Sequence, residues 1–240
     1  MGGPCRLASP RTFKRAPACT DNFQIRPFMF AGMEWQSVEH CYQAMKFVGA
    51  HQLMMLQSMK PRKKERAEAF GERIWEMGQR RSELRPDWEA VKVEIMYNIN
   101  AAKYWQHPDL QVDLLGTGDA EIVGVPSIAW ISSSGKEEKW STWNGVIQMR
   151  IREELRPPSE RSVGFLESIM EKFRTYLTEN GGMQLPLPTM REDSVPTDAG
   201  AGQGNHGAPD LDMSICICCL GQGTVEGLDD VCPLCEGLPL

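Results

Sequence analysis

The 240-residue chain has no long apolar run. No stretch approaches the ~18 consecutive apolar residues of a spanning helix. The opening MGGPCRLASPRTFKRAPACTDNF has no apolar core of the kind a secretory signal needs. It has no acid before Asp21 either, so residues 1–20 read as a disordered basic tail, with an organellar transit peptide as the alternative. Gly2 is followed by Arg6, where a myristoylation signal carries Ser or Thr. A cytoplasmic protein is expected. A dominant positive charge is also missing. The net charge of −6 argues against general nucleic-acid binding. Beyond Gly181 the only Lys or Arg is Arg191, while acids recur from Glu192 to Glu236. Elsewhere the basic residues gather in Lys60-Pro61-Arg62-Lys63-Lys64 and Arg80-Arg81, which could face a phosphate, although count alone favours a solvated helix face. No internal repeat is found.

What is present is one domain with a real core plus appendages; 41% of residues are hydrophobic, ordinary for a globular chain. Phe28 to Trp35 alternates around Gly32 and predicts a short strand pair. Ser37 is a plausible N-cap, and the pattern predicts a helix from Val38 to about Leu56. Further helices are expected over Lys63–Met77, Asp87–Trp105, Leu110–Leu115 and Val146–Leu155, and around the stripe Phe165, Ile169, Phe173, Leu177. Ile122-Val123 and Ile128–Ile131 read as short strands. From residue 181 to 212 the chain turns to PLP, SVPTDAGAGQGN and GAPD, too poor in bulky residues to offset ordering, and so a flexible linker. The expected organisation is a tail (1–20), a mainly α domain with minor short β-strands (21–180), the linker (181–212) and a cysteine-rich module (213–240).

The densest chemistry lies in Trp35-Gln36-Ser37-Val38-Glu39-His40-Cys41-Tyr42-Gln43-Ala44-Met45-Lys46. On a helix Glu39, Tyr42, Gln43 and Lys46 share one face. Periodicity alone favours a solvated polar stripe. The set nevertheless joins a carboxylate, a phenol, a carboxamide and an amine, which suits proton transfer and nucleophilic attack. Apolar neighbours would pull the Lys46 pKa towards neutrality.

Asp21-Asn22-Phe23 and Gly32 to Phe47, followed in order by Gly78, Arg85-Pro86-Asp87-Trp88, Lys92, Met96, Lys103 with Gln106, Leu114 to Asp119, Gly145, Met149, Arg152 and Leu155, resemble the signature of the NADAR/YbiA family. The resemblance spans about residues 21–155. It implies a compact, mainly helical fold acting on N-glycosidic bonds of ribose-phosphate or ADP-ribose-type small molecules, with no catalytic cofactor. Known members cleave aminated pyrimidine ribose phosphates or remove ADP-ribose from guanine. By position Lys46 would form a Schiff base with ribose C1 and Glu39 would shuttle protons. Trp35, Tyr42, Gln43, Trp88 and Asp119 would line the substrate site, and Arg85, Lys92 and Lys103 would hold phosphate. The chain departs from the pattern at Gly124, where the family tends to carry Glu, and at Ala129, where it tends to carry Asp. These losses motivate the alternative of a non-catalytic ADP-ribose or nucleotide-binding module.

Of eight cysteines, Cys5, Cys19 and Cys41 are scattered and five crowd into residues 216–235. Two C-x-x-C pairs, Cys216/Cys219 and Cys232/Cys235, supply the four thiolates of a closed structural Zn²⁺ site. The surrounding glycines resemble one zinc-binding half of a DnaJ-type cysteine-rich domain, which implies docking of a protein partner. No J-domain His-Pro-Asp motif accompanies it, and Cys218 is an extra thiol.

Overall fold

A computed structural model of the chain describes residues 3–8, 14–79 and 84–181. The fold is mainly α with short strands. In chain order it runs β1 (Arg6–Ala8), β2 (Lys14–Arg15), β3 (Phe28–Phe30), β4 (Met33–Trp35), α1 (Val38–Ala44), α2 (Ala50–Gln57), α3 (Ala67–Met77), α4 (Trp88–Gln106), α5 (Pro108–Leu115), β5 (Glu121–Val123), β6 (Ala129–Ile131), β7 (Glu137–Lys139), α6 (Trp140–Leu155) and α7 (Val163–Glu179). The expected linker after Gly181 and the cysteine-rich module lie outside the described residues.

The 19-residue α4 is the hub. It buries Val91, Val93, Ile95, Met96, Ile99 and Tyr104 and packs against α1, β3, α5, α6 and α7. A helix apolar on most of its faces belongs in the middle of a domain. The β3–β4 hairpin turns through Ala31 and Gly32, both at positive φ, with Phe30 paired to Met33. Two such residues make the primed turn whose twist matches the flanking strands.

Three expectations need correction. The helix expected from Val38 to about Leu56 is broken at residues 45–49. Phe47 forms a bridge to Leu84, and Arg85 N–H donates to Lys46 O at 2.8 Å. That pairing replaces the helical hydrogen bonds, and its partner lies too far along the chain for local periodicity to register. The described parts of the basic start are not a tail. β1 pairs antiparallel with both β2 and β5, and Cys5 and Cys19 are fully buried. Thr20 Oγ1 accepts from Cys5 N–H at 3.0 Å, tying the segment down. α6 also begins at Trp140, a turn and a half before the expected Val146.

His40 joins α1 to its neighbours. Its Nδ1 accepts from Gln36 N–H at 3.2 Å and its Nε2 lies 2.6 Å from Leu56 O. Only the neutral ring protonated on Nε2 satisfies both contacts. Trp35 and Phe70 flank it edge-on. Burial lowers its pKa from 6.5 to about 4. The fold therefore favours neutral His40. That stability is complete above pH 6.5 and is lost as pH falls towards 4, by about 3 kcal/mol at most. Urea denaturation at pH 7 and pH 4.5 should show a larger drop for the native chain than for His40→Gln; equal drops would contradict this assignment.

Candidate active site

The site is built on α1. Ser37 Oγ accepts from His40 N–H at 3.2 Å and caps the helix. Glu39 thus sits in the first turn, its own N–H donating to Asn22 O at 2.9 Å. The polar stripe is not solvated: Glu39 and Gln43 are 0% exposed and Tyr42 is 1%. Gln43 Nε2 donates to Glu39 Oε1 at 2.5 Å. Glu39 Oε2 is buried without a protein partner. Burial pushes the Glu39 pKa up, against the Gln43 hydrogen bond and the charge of Lys46.

Lys46 lies two residues beyond the end of α1 and is half-buried. Its Nζ reaches Gly78 O at 3.4 Å and sits 5.8 Å from the Tyr42 ring centre. Burial lowers its pKa to about 8, with Glu39 pulling it up and Lys92 pushing it down. An amine near that value has a substantial neutral fraction at physiological pH, which an exposed lysine lacks.

An aromatic wall adjoins the pair. Tyr42 packs on Trp88 at 5.0 Å and on Trp140 at 5.5 Å, and Trp140 packs on Trp130 at 5.0 Å. Lys92 lies 4.1 Å from the centre of the Trp130 ring, with Nζ 2.6 Å from Glu89 Oε2. Burial lowers its pKa as well. Arg85 grips Asp87 with two hydrogen bonds, at 2.6 and 2.7 Å, while its backbone anchors Lys46. The structure thus brings Glu39, Tyr42, Gln43, Lys46, Arg85, Trp88 and Lys92 around one region.

Three other residues singled out in the sequence are engaged elsewhere. Trp35 is fully buried, its indole donating to Phe30 O at 3.0 Å. Lys103 donates to Cys19 O at 2.6 Å beneath the N-terminal segment, and burial lowers its pKa to about 8. Asp119 is exposed and pairs with Arg156 at 2.6 Å on the α5–β5 turn. Cys216, Cys219, Cys232 and Cys235 lie outside the described residues.

Sequence reasoning passed over a buried amide network. Asn22 Nδ2 donates to Asn144 Oδ1, Asn100 Nδ2 to Asn22 Oδ1, and Gln148 Nε2 to Asn100 Oδ1. Tyr104 OH closes the chain on Gln148 Oε1 at 2.6 Å. The available signal was a carboxamide inside the apolar stripe of each helix, Asn100 beside Ile99 and Gln148 beside Ile147. Buried amides with satisfied partners fix geometry rather than fill space. Through Asn22 this network sets the backbone that receives Glu39.

The departures from the family pattern also acquire a shape. Gly124 N–H donates to Ser141 O at 2.8 Å. A Cβ on Gly124 would lie 2.6 Å from Ser141 O and 2.9 Å from Ser141 Cα, so the start of α6 occupies the space of any side chain there. Ala129 is exposed at the start of β6. Among the described residues no three His, Cys, Asp or Glu side chains gather as a metal site, and no helix is long and apolar enough to cross a membrane.

Residues 11–156 match the NADAR domain. The chain is 33% identical over 135 residues to the N-glycosidase YbiA of Shigella flexneri, covering 56% of this chain and 79% of that protein. It is 30% identical over 139 residues to an N-glycosidase of Nostoc punctiforme, covering 58% of this chain and 85% of the relative. The solution structure of Escherichia coli YbiA matches with a TM-score of 0.46 at 28% identity, over 57% of this chain and 77% of that one.

The Gly124 geometry predicts that Gly124→Glu costs about 1–3 kcal/mol, because backbone must shift. Ala129→Asp, at an exposed position, should change stability by less than about 0.5 kcal/mol. Urea denaturation of the two variants checks this; equal effects would contradict it.

Proposed function

The chain belongs to the NADAR family, and from that premise we propose that it is an N-glycosidase, hydrolysing the bond between a base and a ribose-phosphate or ADP-ribose-type sugar. The observation that carries the reading is the pairing of a fully buried Glu39, one oxygen free of protein partners, with a half-buried Lys46 whose pKa is lowered to about 8. In the proposed reaction the neutral Lys46 amine adds to ribose C1. The C1–N electron pair leaves on the base nitrogen, which takes a proton from Glu39. The ionised Glu39 takes a proton from the attached Lys46 nitrogen and passes it to the ring oxygen as the C1–O bond of the ring breaks, leaving a Schiff base at C1; water then adds there, giving one proton back to Glu39, and the C1–N bond to Lys46 breaks to release the sugar and the neutral amine. The net reaction consumes one water and yields free base and sugar.

Tyr42 and Trp88 offer aromatic faces beside the pair, and Lys92 offers a second cation for a phosphate. Gln43 orients Glu39. Arg85 serves through its backbone hold on Lys46. We assign no substrate contact to Trp35, Lys103 or Asp119, whose polar groups are taken up by Phe30 O, Cys19 O and Arg156.

A second reading, nucleotide binding without turnover, is favoured by one observation: the Ser141 backbone leaves no room for an acid at position 124. Calorimetry with ADP-ribose distinguishes it, since that reading predicts binding but neither product nor covalent adduct.

We also propose, from the donor set alone, that Cys216, Cys219, Cys232 and Cys235 hold one structural zinc and that this module docks a protein partner. Metal analysis of the purified chain should give one zinc per molecule, lost in Cys216→Ser/Cys219→Ser; a metal-free native chain would contradict it.

Incubation with an aminated pyrimidine ribose phosphate or an ADP-ribosylated guanine, with borohydride present, should trap a sugar adduct on Lys46. Lys46→Ala should lose the adduct, and its turnover should fall by about 10²–10⁴-fold. A folded chain giving neither product nor adduct sinks the glycosidase reading. The kcat/KM profile should fall at high pH, as Glu39 loses the proton it donates, and along a low-pH limb, as Lys46, with its pKa of about 8, takes one up. Because Glu39 pulls that pKa up, residual activity in Glu39→Gln should show the limb at lower pH; a shift upwards would contradict the pairing.

A further inference from the structure

We propose that Gly78 is a positioning residue that sets both Glu39 and Lys46, by its missing side chain and its carbonyl respectively. The inference rests on the reading of Glu39 and Lys46 as the reacting pair. Gly78 follows the last turn of α3 and has ordinary right-handed helical backbone, φ −73°. Nothing in its conformation calls for glycine, and the reason lies in what stands against it. A Cβ at this position would collide with Gln43 Oε1 and lie 2.6 Å from Gln43 Cδ and 3.0 Å from Gln43 Cβ. The Gln43 carboxamide is therefore seated on the bare α-carbon. In that seat its Nε2 donates to Glu39 Oε1 at 2.5 Å. Gln43 Oε1 makes no hydrogen bond of its own, so on that side the amide is held by packing against Gly78 alone. The carbonyl of the same Gly78 accepts from Lys46 Nζ at 3.4 Å. One residue, anchored by its N–H on Ile74 O at 3.0 Å, thus fixes the direction of the acid through Gln43 and the resting place of the amine directly. α3 contributes no side chain to the chemistry but supplies its alignment.

Gly78→Ala isolates this role, because alanine suits the backbone and every atom in its way belongs to one glutamine, the nearest to its carboxamide end. The full chain is compared as native protein, Gly78→Ala, Gln43→Ala and the double variant. The Glu39 carboxyl is followed by ¹³C NMR titration, its signal assigned with Glu39→Gln. The Gln43 hydrogen bond favours the ionised acid, so both single variants should raise the Glu39 midpoint. The double variant should raise it no further than Gln43→Ala, because the collision and the hydrogen bond are then both gone. Where the native chain turns over substrate, Gly78→Ala should lower kcat about 100-fold with little change in KM, as misplaced reacting groups do. An unshifted Glu39 midpoint in Gly78→Ala, or additive effects in the double variant, would overturn the inference. If Gly78→Ala alone does not fold, Gln43→Ala in the same chain must restore folding, and its failure to do so is equally decisive. A native chain without turnover would overturn the glycosidase reading, while the titration would still decide what Gly78 does to Glu39.

Discussion

The structure turns on a carboxyl group taken out of water with one hydrogen bond to hold it. Removing an ionised carboxylate from solvent costs several kcal/mol unless partners replace the water. Glu39 has Gln43 on one oxygen and no protein partner on the other. The charge of Lys46, itself pulled towards neutrality by burial, adds to that compensation. Each group makes the charged form of the other less costly, while burial works against the charge of both. A purely structural ion pair would gain from closer contact and fuller hydrogen bonding. This one leaves an acceptor idle and an amine on a long bond to Gly78 O.

Much of the surrounding architecture holds that arrangement against relaxation. Ser37 fixes where α1 starts, Asn22 O takes the Glu39 N–H, and the Asn100–Asn144–Gln148–Tyr104 network fixes Asn22. The strand-like contact of Lys46 and Phe47 with Leu84 and Arg85 ends α1 early and swings the lysine out of helical register. Away from the site, Arg150 braces α4, α6 and α7. It pairs with Glu154 at 2.9 Å and lies 3.5 Å from the Tyr97 ring centre. Arg152 secures the α5–β5 turn through Thr117 Oγ1 and Ala120 O. Both buried cations are tied to protein acceptors.

The elements with strong local signals were legible in the sequence. The β3–β4 hairpin was marked by alternation around Gly32, the N-cap by Ser37, and α4 by its apolar spacing. What stayed hidden depends on partners distant in the chain. β1 is a strand because Leu7 faces Ile122 across the sheet, which no window around residue 7 contains. α1 ends at Ala44 because of a contact near Leu84. The helical spacing placed Glu39, Tyr42 and Gln43 on one face, and that face exists, but periodicity favoured putting it in water. It is buried because α2, α3 and α4 close around α1. Gly78 could be quoted as part of the family pattern, yet its purpose is visible only where the Gln43 carboxamide rests against it. Gly124 is similar: the sequence registers a missing acid, and the Ser141 backbone explains why a side chain has no place there.

The most direct measurement of the central claim is the titration of the Lys46 amine itself, followed by NMR of its ε-methylene against a Lys46→Arg control. A midpoint near 8 that falls when Glu39 becomes Gln is the result predicted. A midpoint near 10.5, indifferent to position 39, would mean that the amine stands in water and that the two groups do not form a site.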